Sequence, residues 1–198
     1  HFCFPNGLRG DILDESVLDA LKAGGTYAMS IAIETVTPRL QDLVEKNLKI
    51  DKAANAIEQA DRRGIMAAGF FMLGFPTETV EEMKATVDFA LRSRLTTAYF
   101  FCVVPQPATP MYELAKGEAP EALEAAWRDE EEGANYRSSL TWYERAYGFP
   151  LSKFIDQTYR RFYLRPSRMA RVVRRVPPKS WWLGSQRLFK TIALRDSA

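Results

Sequence analysis

The sequence predicts an α/β fold: a partial TIM-type (β/α) barrel of about four βα units, followed by a helical, basic C-terminal extension. Three observations predict it. Apolar runs of strand length alternate with segments of helical period, helix-start signals follow several of those runs, and the charge changes sign late in the chain. Residues 1–156 carry 16 Lys and Arg against 24 Asp and Glu, a balance of −8, whereas residues 157–198 carry 11 Lys and Arg against Asp196 alone, a balance of +10. The barrel part is accordingly assigned to residues 1–116 and the extension to 117–198, basic from about residue 157.

The elements follow in order. A short strand near Phe2 to Phe4 leads through Asn6-Gly7-Leu8-Arg9-Gly10-Asp11 to a helix at Asp14 to Ala23, with Val17, Leu18 and Leu21 on one face. A second strand, Tyr27 to Ile33, ends at Glu34, and Pro38 suits the first turn of the next helix, where its missing N–H costs nothing. Helix continues to Arg63 with a break around Asn47 to Ile50, and Ala53, Ala56, Ile57 and Ala60 form a small-residue face. A third strand, Ile65 to Leu73, turns at Gly74-Phe75-Pro76 into a helix whose Thr79 and Glu82 have the spacing of a capping box and which runs to about Ser93. The fourth strand is Ala98 to Val104, closed by Pro105-Gln106-Pro107-Ala108-Thr109-Pro110.

With 198 residues and 46% hydrophobic content, the chain is able to bury a sizeable core. Cys3 and Cys102 lie too far apart in sequence for metal-ligand spacing, so no metal-ligating residue is assigned, and both read as strand thiols in a reducing compartment. No apolar stretch has the length of a membrane span and no signal peptide opens the chain, so the expected location is the cytoplasm.

In parallel α/β folds ligands sit outside the carboxyl ends of the strands, which directs attention to Glu34-Thr35-Val36-Thr37, to Gly74-Phe75-Pro76-Thr77-Glu78-Thr79 and to Val104-Pro105 with the residues after them. Glu34 has two readings, an N-cap acid for the helix at Pro38 or a ligand-facing carboxylate. Gly74 and Pro76 alone make a tight turn.

The order of these segments resembles the later two-thirds of a radical S-adenosylmethionine (radical SAM) enzyme core, over about residues 2–116. Members of that superfamily carry a strand ending in a Glu-Ser-Gly-type turn, then a Gly-Leu-Pro-Gly-Glu-Thr turn, then a Pro-x-Pro-Gly-Thr-Pro segment. The resemblance implies S-adenosylmethionine as cofactor, with Glu34 and Thr35 facing its ribose or amino group. It also implies that Phe71, Met72, Leu73 and Gly74 lie along the adenine, and that Val104 and Pro105 close its far side. No catalytic residue is assigned: Tyr99, Tyr112, Cys102 and Gln106 each have a structural reading at least as good. Three glycines of the family pattern are replaced, by Val36, Thr77 and Ala108.

The superfamily also holds a [4Fe–4S] cluster on a CxxxCxxC loop, through which an electron cleaves the cofactor to a deoxyadenosyl radical. Two cysteines do not supply three thiolates, so the cluster ligands are expected outside this sequence. A half-barrel opening on an apolar strand would leave a sheet edge exposed, which favours a missing upstream part over a degenerate relative. The stretch from Phe154 to Arg175 resembles the segment after the barrel in radical enzymes with an N-terminal cobalamin-binding domain, adding cobalamin as an expected cofactor bound outside this chain.

Seven arginines between Arg160 and Arg175 recur at helical spacing among Phe154, Ile155, Phe162, Met169, Val172 and Val173, and Trp181 and Trp182 follow. Such a stretch reads as a membrane-surface helix or as a basic face packed on the acidic body, whereas a −8 body disfavours nucleic acid. The expected function is thus part of a radical SAM enzyme modifying a lipid, isoprenoid, tetrapyrrole or other small metabolite by methyl transfer or cyclisation. Its partners would be that substrate, an electron donor such as flavodoxin or ferredoxin, and the inner face of a membrane. The alternative is a non-catalytic barrel remnant that binds a membrane or a partner.

Overall fold

Alternating buried and half-buried residues from Met66 to Leu73 mark a strand that packs one face fully and the other in part, and in the computed structural model that strand lies inside a four-stranded sheet. The structure describes residues 1–131 and 140–175. Four parallel strands stand in sequence order, β1 (Phe2–Leu8), β2 (Thr26–Glu34), β3 (Met66–Leu73) and β4 (Thr97–Cys102). Helices α1 (Glu15–Ala23), α2 (Pro38–Leu43), α3 (Ile50–Arg62) and α4 (Val80–Arg92) make the crossovers. After β4 come α5 (Pro110–Glu118), α6 (Pro120–Glu131), α7 (Leu140–Tyr147), α8 (Leu151–Tyr163) and α9 (Pro166–Arg175). The chain forms two compact units, His1–Phe162 and Tyr163–Ala198.

Local chemistry sets most boundaries. Asp14 caps α1 by accepting from the Val17 amide at 2.9 Å. Thr79 and Glu82 form the expected capping box on α4, and Thr109 caps α5. Ala53, Ala56, Ile57 and Ala60 are all buried, so the small-residue face of α3 packs as the sequence predicts.

Several expectations are corrected. On α1 only Leu18 is buried, because Val17 lies toward solvent and Leu21 is half-buried. β1 runs on to Leu8, with Pro5 tolerated because the strand lies at the sheet edge and its register shifts beside the proline. β4 ends at Cys102, although the Val103 amide still donates to the Leu73 carbonyl at 2.9 Å.

The sheet has two distinct faces. On one, Ile31, Ile33, Phe71, Leu73 and Phe100 are buried, with Phe71 stacked on Phe100 and edge-on to Phe89 of α4. On the other, the register aligns Ser30 with Ala68 and Thr97, and Phe70 with Tyr99. There Phe70 meets Tyr99 and Phe101 edge-on at 5.5 and 5.7 Å, and the three rings line an open concavity of about 500 Å³ with Cys3, Ala28 and Met66.

Candidate functional site

The carboxyl ends of β2, β3 and β4 gather around a small apolar cluster, in which Leu40 of α2, Phe75 and Val103 are buried and Met72 packs against them. Glu34, at the end of β2, is one of five described non-glycine residues with left-handed backbone. Two residues of β2, Ile33 and Glu34, pass against one step of β3, a bulge that places Glu34 opposite Phe71. The Thr35 amide donates to the Ile33 carbonyl at 3.0 Å, closing a three-residue turn with Glu34 at its centre and a φ of +64° there. For a residue with a Cβ, left-handed backbone costs about 1–2 kcal/mol, so something must hold it.

Gln41 of α2 is that constraint, and the sequence reading missed it. Its side chain is only 4% exposed. Its amide donates to the Ile33 carbonyl at 3.0 Å and to the Thr35 carbonyl, the two groups that flank Glu34. Its own oxygen accepts from the Leu48 amide at 3.0 Å, tying in the loop that carries Lys46. Lys46 Nζ lies 2.8 Å from Glu34 Oε1, and both side chains are about a fifth exposed (22% and 20%). Arg9 Nη1 donates to the Lys46 carbonyl at 2.7 Å and Arg9 Nη2 to the Asn47 carbonyl at 3.0 Å, fixing the far side of the loop. A buried amide three residues into α2 was a visible signal, since Gln in an otherwise apolar helix face must find partners.

Glu34 is therefore not the N-cap of α2. Thr37 occupies that position, and Pro38 sits in the first turn. Thr35 is fully buried and faces α4, where its hydroxyl lies 3.3 Å from that of Thr86. The Val36 amide also goes to the Thr86 hydroxyl, at 3.3 Å.

The β3 turn is organised by Glu78, which the sequence reading placed in the turn segment without giving it a role. Glu78 is 3% exposed, and its Oε2 accepts from the Gly74 and Phe75 amides at 2.6 and 3.0 Å. Oε1 is buried without a hydrogen-bond partner. Burial pushes the carboxyl up to about 8 against the pull of the two amides, which favours its neutral form. Two tyrosines of α7 complete the turn: Tyr143 donates to the Glu78 carbonyl, and the Thr77 amide donates to the Tyr147 hydroxyl at 2.9 Å.

These contacts change what the β3 residues offer. Phe71 and Leu73 are wholly buried, so their side chains belong to the core and only main chain is left to face a ligand. Met72 packs beneath α2. Gly74 has φ +83°, and a Cβ there would lie 2.8 Å from Leu151 Cδ2 and 3.4 Å from Tyr143 Cβ. Its missing side chain makes room for α7 and α8. Val104 is half-buried and Pro105 buried, both just past β4. Thr77 and Ala108, two of the three positions where the resembling pattern has glycine, take φ +65° and +63°, and Val36 does not.

No iron–sulfur ligand set is present among the described residues. Cys3 is exposed, Cys102 is raised to about 12 by burial, and no group of three or more His, Cys, Asp or Glu is placed for a metal. These described residues do not supply the three thiolates that a [4Fe–4S] cluster takes.

Comparison with known proteins matches residues 2–90 to the model of the radical SAM superfamily. An uncharacterized methyltransferase of Pyrococcus horikoshii is 34% identical over 107 residues, 54% of this chain and 23% of that protein. Cytidylyl-2-hydroxyethylphosphonate methyltransferase of Streptomyces wedmorensis is 33% identical over 108 residues, 51% of this chain and 20% of its own length. A tRNA-2-methylthio-N(6)-dimethylallyladenosine synthase of a Ruegeria species is 39% identical over 126 residues, 60% of this chain and 28% of its own. The chain thus spans about a quarter of the length of these curated relatives.

Proposed function

We propose, for a chain whose residues 2–90 belong to the radical SAM superfamily, that the strand-end cluster around Glu34 holds S-adenosylmethionine in an enzyme of the methyltransferase type. The observation that carries this reading is the turn at Glu34, a carboxylate kept in left-handed backbone by the Gln41 side chain and paired with Lys46 on one oxygen. Strain of this kind persists where the surroundings over-determine it, and it clusters at active sites and ligand clamps.

Lys46 holds Oε1, while Oε2 makes no hydrogen bond among the described residues. An acceptor-only carboxylate so placed suits the ribose hydroxyls or the ammonium of the cofactor. Main chain at Leu73 and Gly74, with Val104 and Pro105, would border the adenine. When bound, S-adenosylmethionine supplies adenosyl and methyl groups, and the chemistry belongs to the cofactor. The protein's share is to bind, orient and exclude water. Cluster ligands, a cobalamin domain and an electron donor such as flavodoxin or ferredoxin would come from outside these residues.

For substrate we favour an apolar small metabolite such as a lipid, isoprenoid or tetrapyrrole. The open sheet face of Phe70, Tyr99 and Phe101 supports this, being lined by rings and small side chains without a charge. The test is equilibrium dialysis of labelled S-adenosylmethionine against the protein and its Glu34→Ala variant. Loss of a charged hydrogen-bond acceptor, about 1.5–3 kcal/mol, should weaken binding roughly 10- to 100-fold. Unchanged affinity would remove Glu34 from the site, and no binding by the intact protein would favour a non-catalytic module.

A further inference from the structure

We infer that α9, with Leu164 just before it, is a surface helix that docks on an anionic lipid bilayer. The observation is an inversion of the usual burial. At helical spacing, Met169, Ala170, Val172 and Val173 share one side of α9, and Arg168, Arg171, Arg174 and Arg175 the other. A helix on a protein core buries the first side. Here Leu164 is 70% exposed, Met169 51% and Val173 47%, while Arg168 is only 3% exposed.

The occupant follows from charge and length. Residues 157–175 hold seven arginines and no acid, so the segment attracts an anionic surface. With 10 residues, α9 is too short to span a bilayer, and among the described residues no helix is long and apolar enough to do so. An acidic protein face would have to meet the arginine side, where Arg168 is already buried. A bilayer instead takes Leu164, Met169 and Val173 into the acyl boundary and meets the exposed Arg165 and Arg174 at the headgroups. Docking of this kind would bring the chain to a surface rich in apolar metabolites, whatever the cofactor site does.

The test is flotation of the full chain with vesicles of phosphatidylcholine alone and of phosphatidylcholine with phosphatidylglycerol. The expected result is binding to the anionic vesicles only, released by salt. An Arg165→Gln/Arg174→Gln double variant should bind about 30-fold more weakly, from two surface charges. A Met169→Asp/Val173→Asp double variant should not float; both sites are about half exposed, and an unchanged circular dichroism spectrum would show that the fold is kept. Equal binding to neutral vesicles, no binding to anionic ones, or flotation that survives the aspartate variant would each overturn the inference; the last would hand the role to another segment, such as residues 176–198.

Discussion

Replacing Gln41 by Met keeps the length of the side chain and removes its hydrogen bonds. The Thr35 carbonyl and the Leu48 amide would each lose their described partner, and the Ile33 carbonyl would keep only the Thr35 amide, in a site that is 4% exposed. A buried polar group left alone costs about 1–3 kcal/mol, and partial relaxation of the Glu34 turn returns some of that. The net loss should be about 3 kcal/mol, a large part of the stability of a domain this size. Urea unfolding should show a lower midpoint at unchanged slope, the sign of a stability change without a change in compactness. Binding of S-adenosylmethionine should fall about tenfold or more, because Glu34 would leave its left-handed backbone once the clamp is gone. A stability loss below about 0.5 kcal/mol would refute the energetic reasoning, being what a surface substitution costs. Full stability loss with unaltered cofactor affinity would refute the positioning role.

Two further outcomes follow from the same geometry. Ala108→Gly removes a Cβ from a residue at φ +63° and should raise unfolding stability by about 0.5–1 kcal/mol in the same assay, the strain relieved exceeding the added chain entropy. Glu78→Gln should flatten the pH dependence of stability. The folded carboxyl is raised from 4.5 to about 8, so across that window the unfolded chain loses a proton that the folded chain keeps. Stability from this group is full below about pH 4.5 and falls by up to ~1.4 kcal/mol per pH unit until the folded carboxyl ionises. Urea midpoints at several pH values should show that fall in the wild type and a shallower one in the variant.

The barrel part of the fold was largely legible. Apolar runs of strand length, the capping box at Thr79 and Glu82, and the small face of α3 are consequences of neighbours in sequence, and the last two stand where the pattern puts them. Glu34 also stood out in the sequence, since a carboxylate closing an apolar strand is anomalous on its own. Its partners did not. Lys46 reaches it from the loop after α2, Gln41 of α2 holds the carbonyls on either side of it, and Arg9, just past β1, holds the Lys46 loop, and nothing local in those segments announces a common target. The basic charge of the tail was legible, and its Trp181 and Trp182 lie outside the described residues.

The glycine substitutions divide the two kinds of information most clearly. The chain alone shows that Thr77 and Ala108 stand in turns, and a resembling pattern shows glycine there, yet only the folded backbone shows that both are held at positive φ. Gly74 is the converse: its place in a turn is plain from Phe75 and Pro76, while the need for a bare Cα comes from Leu151 and Tyr143, which are distant in sequence. Local propensity and periodicity act within a few residues and so can be read along the chain. Which side chain meets which carbonyl across a sheet is settled by long-range packing, and that information exists only once the strands have been brought together.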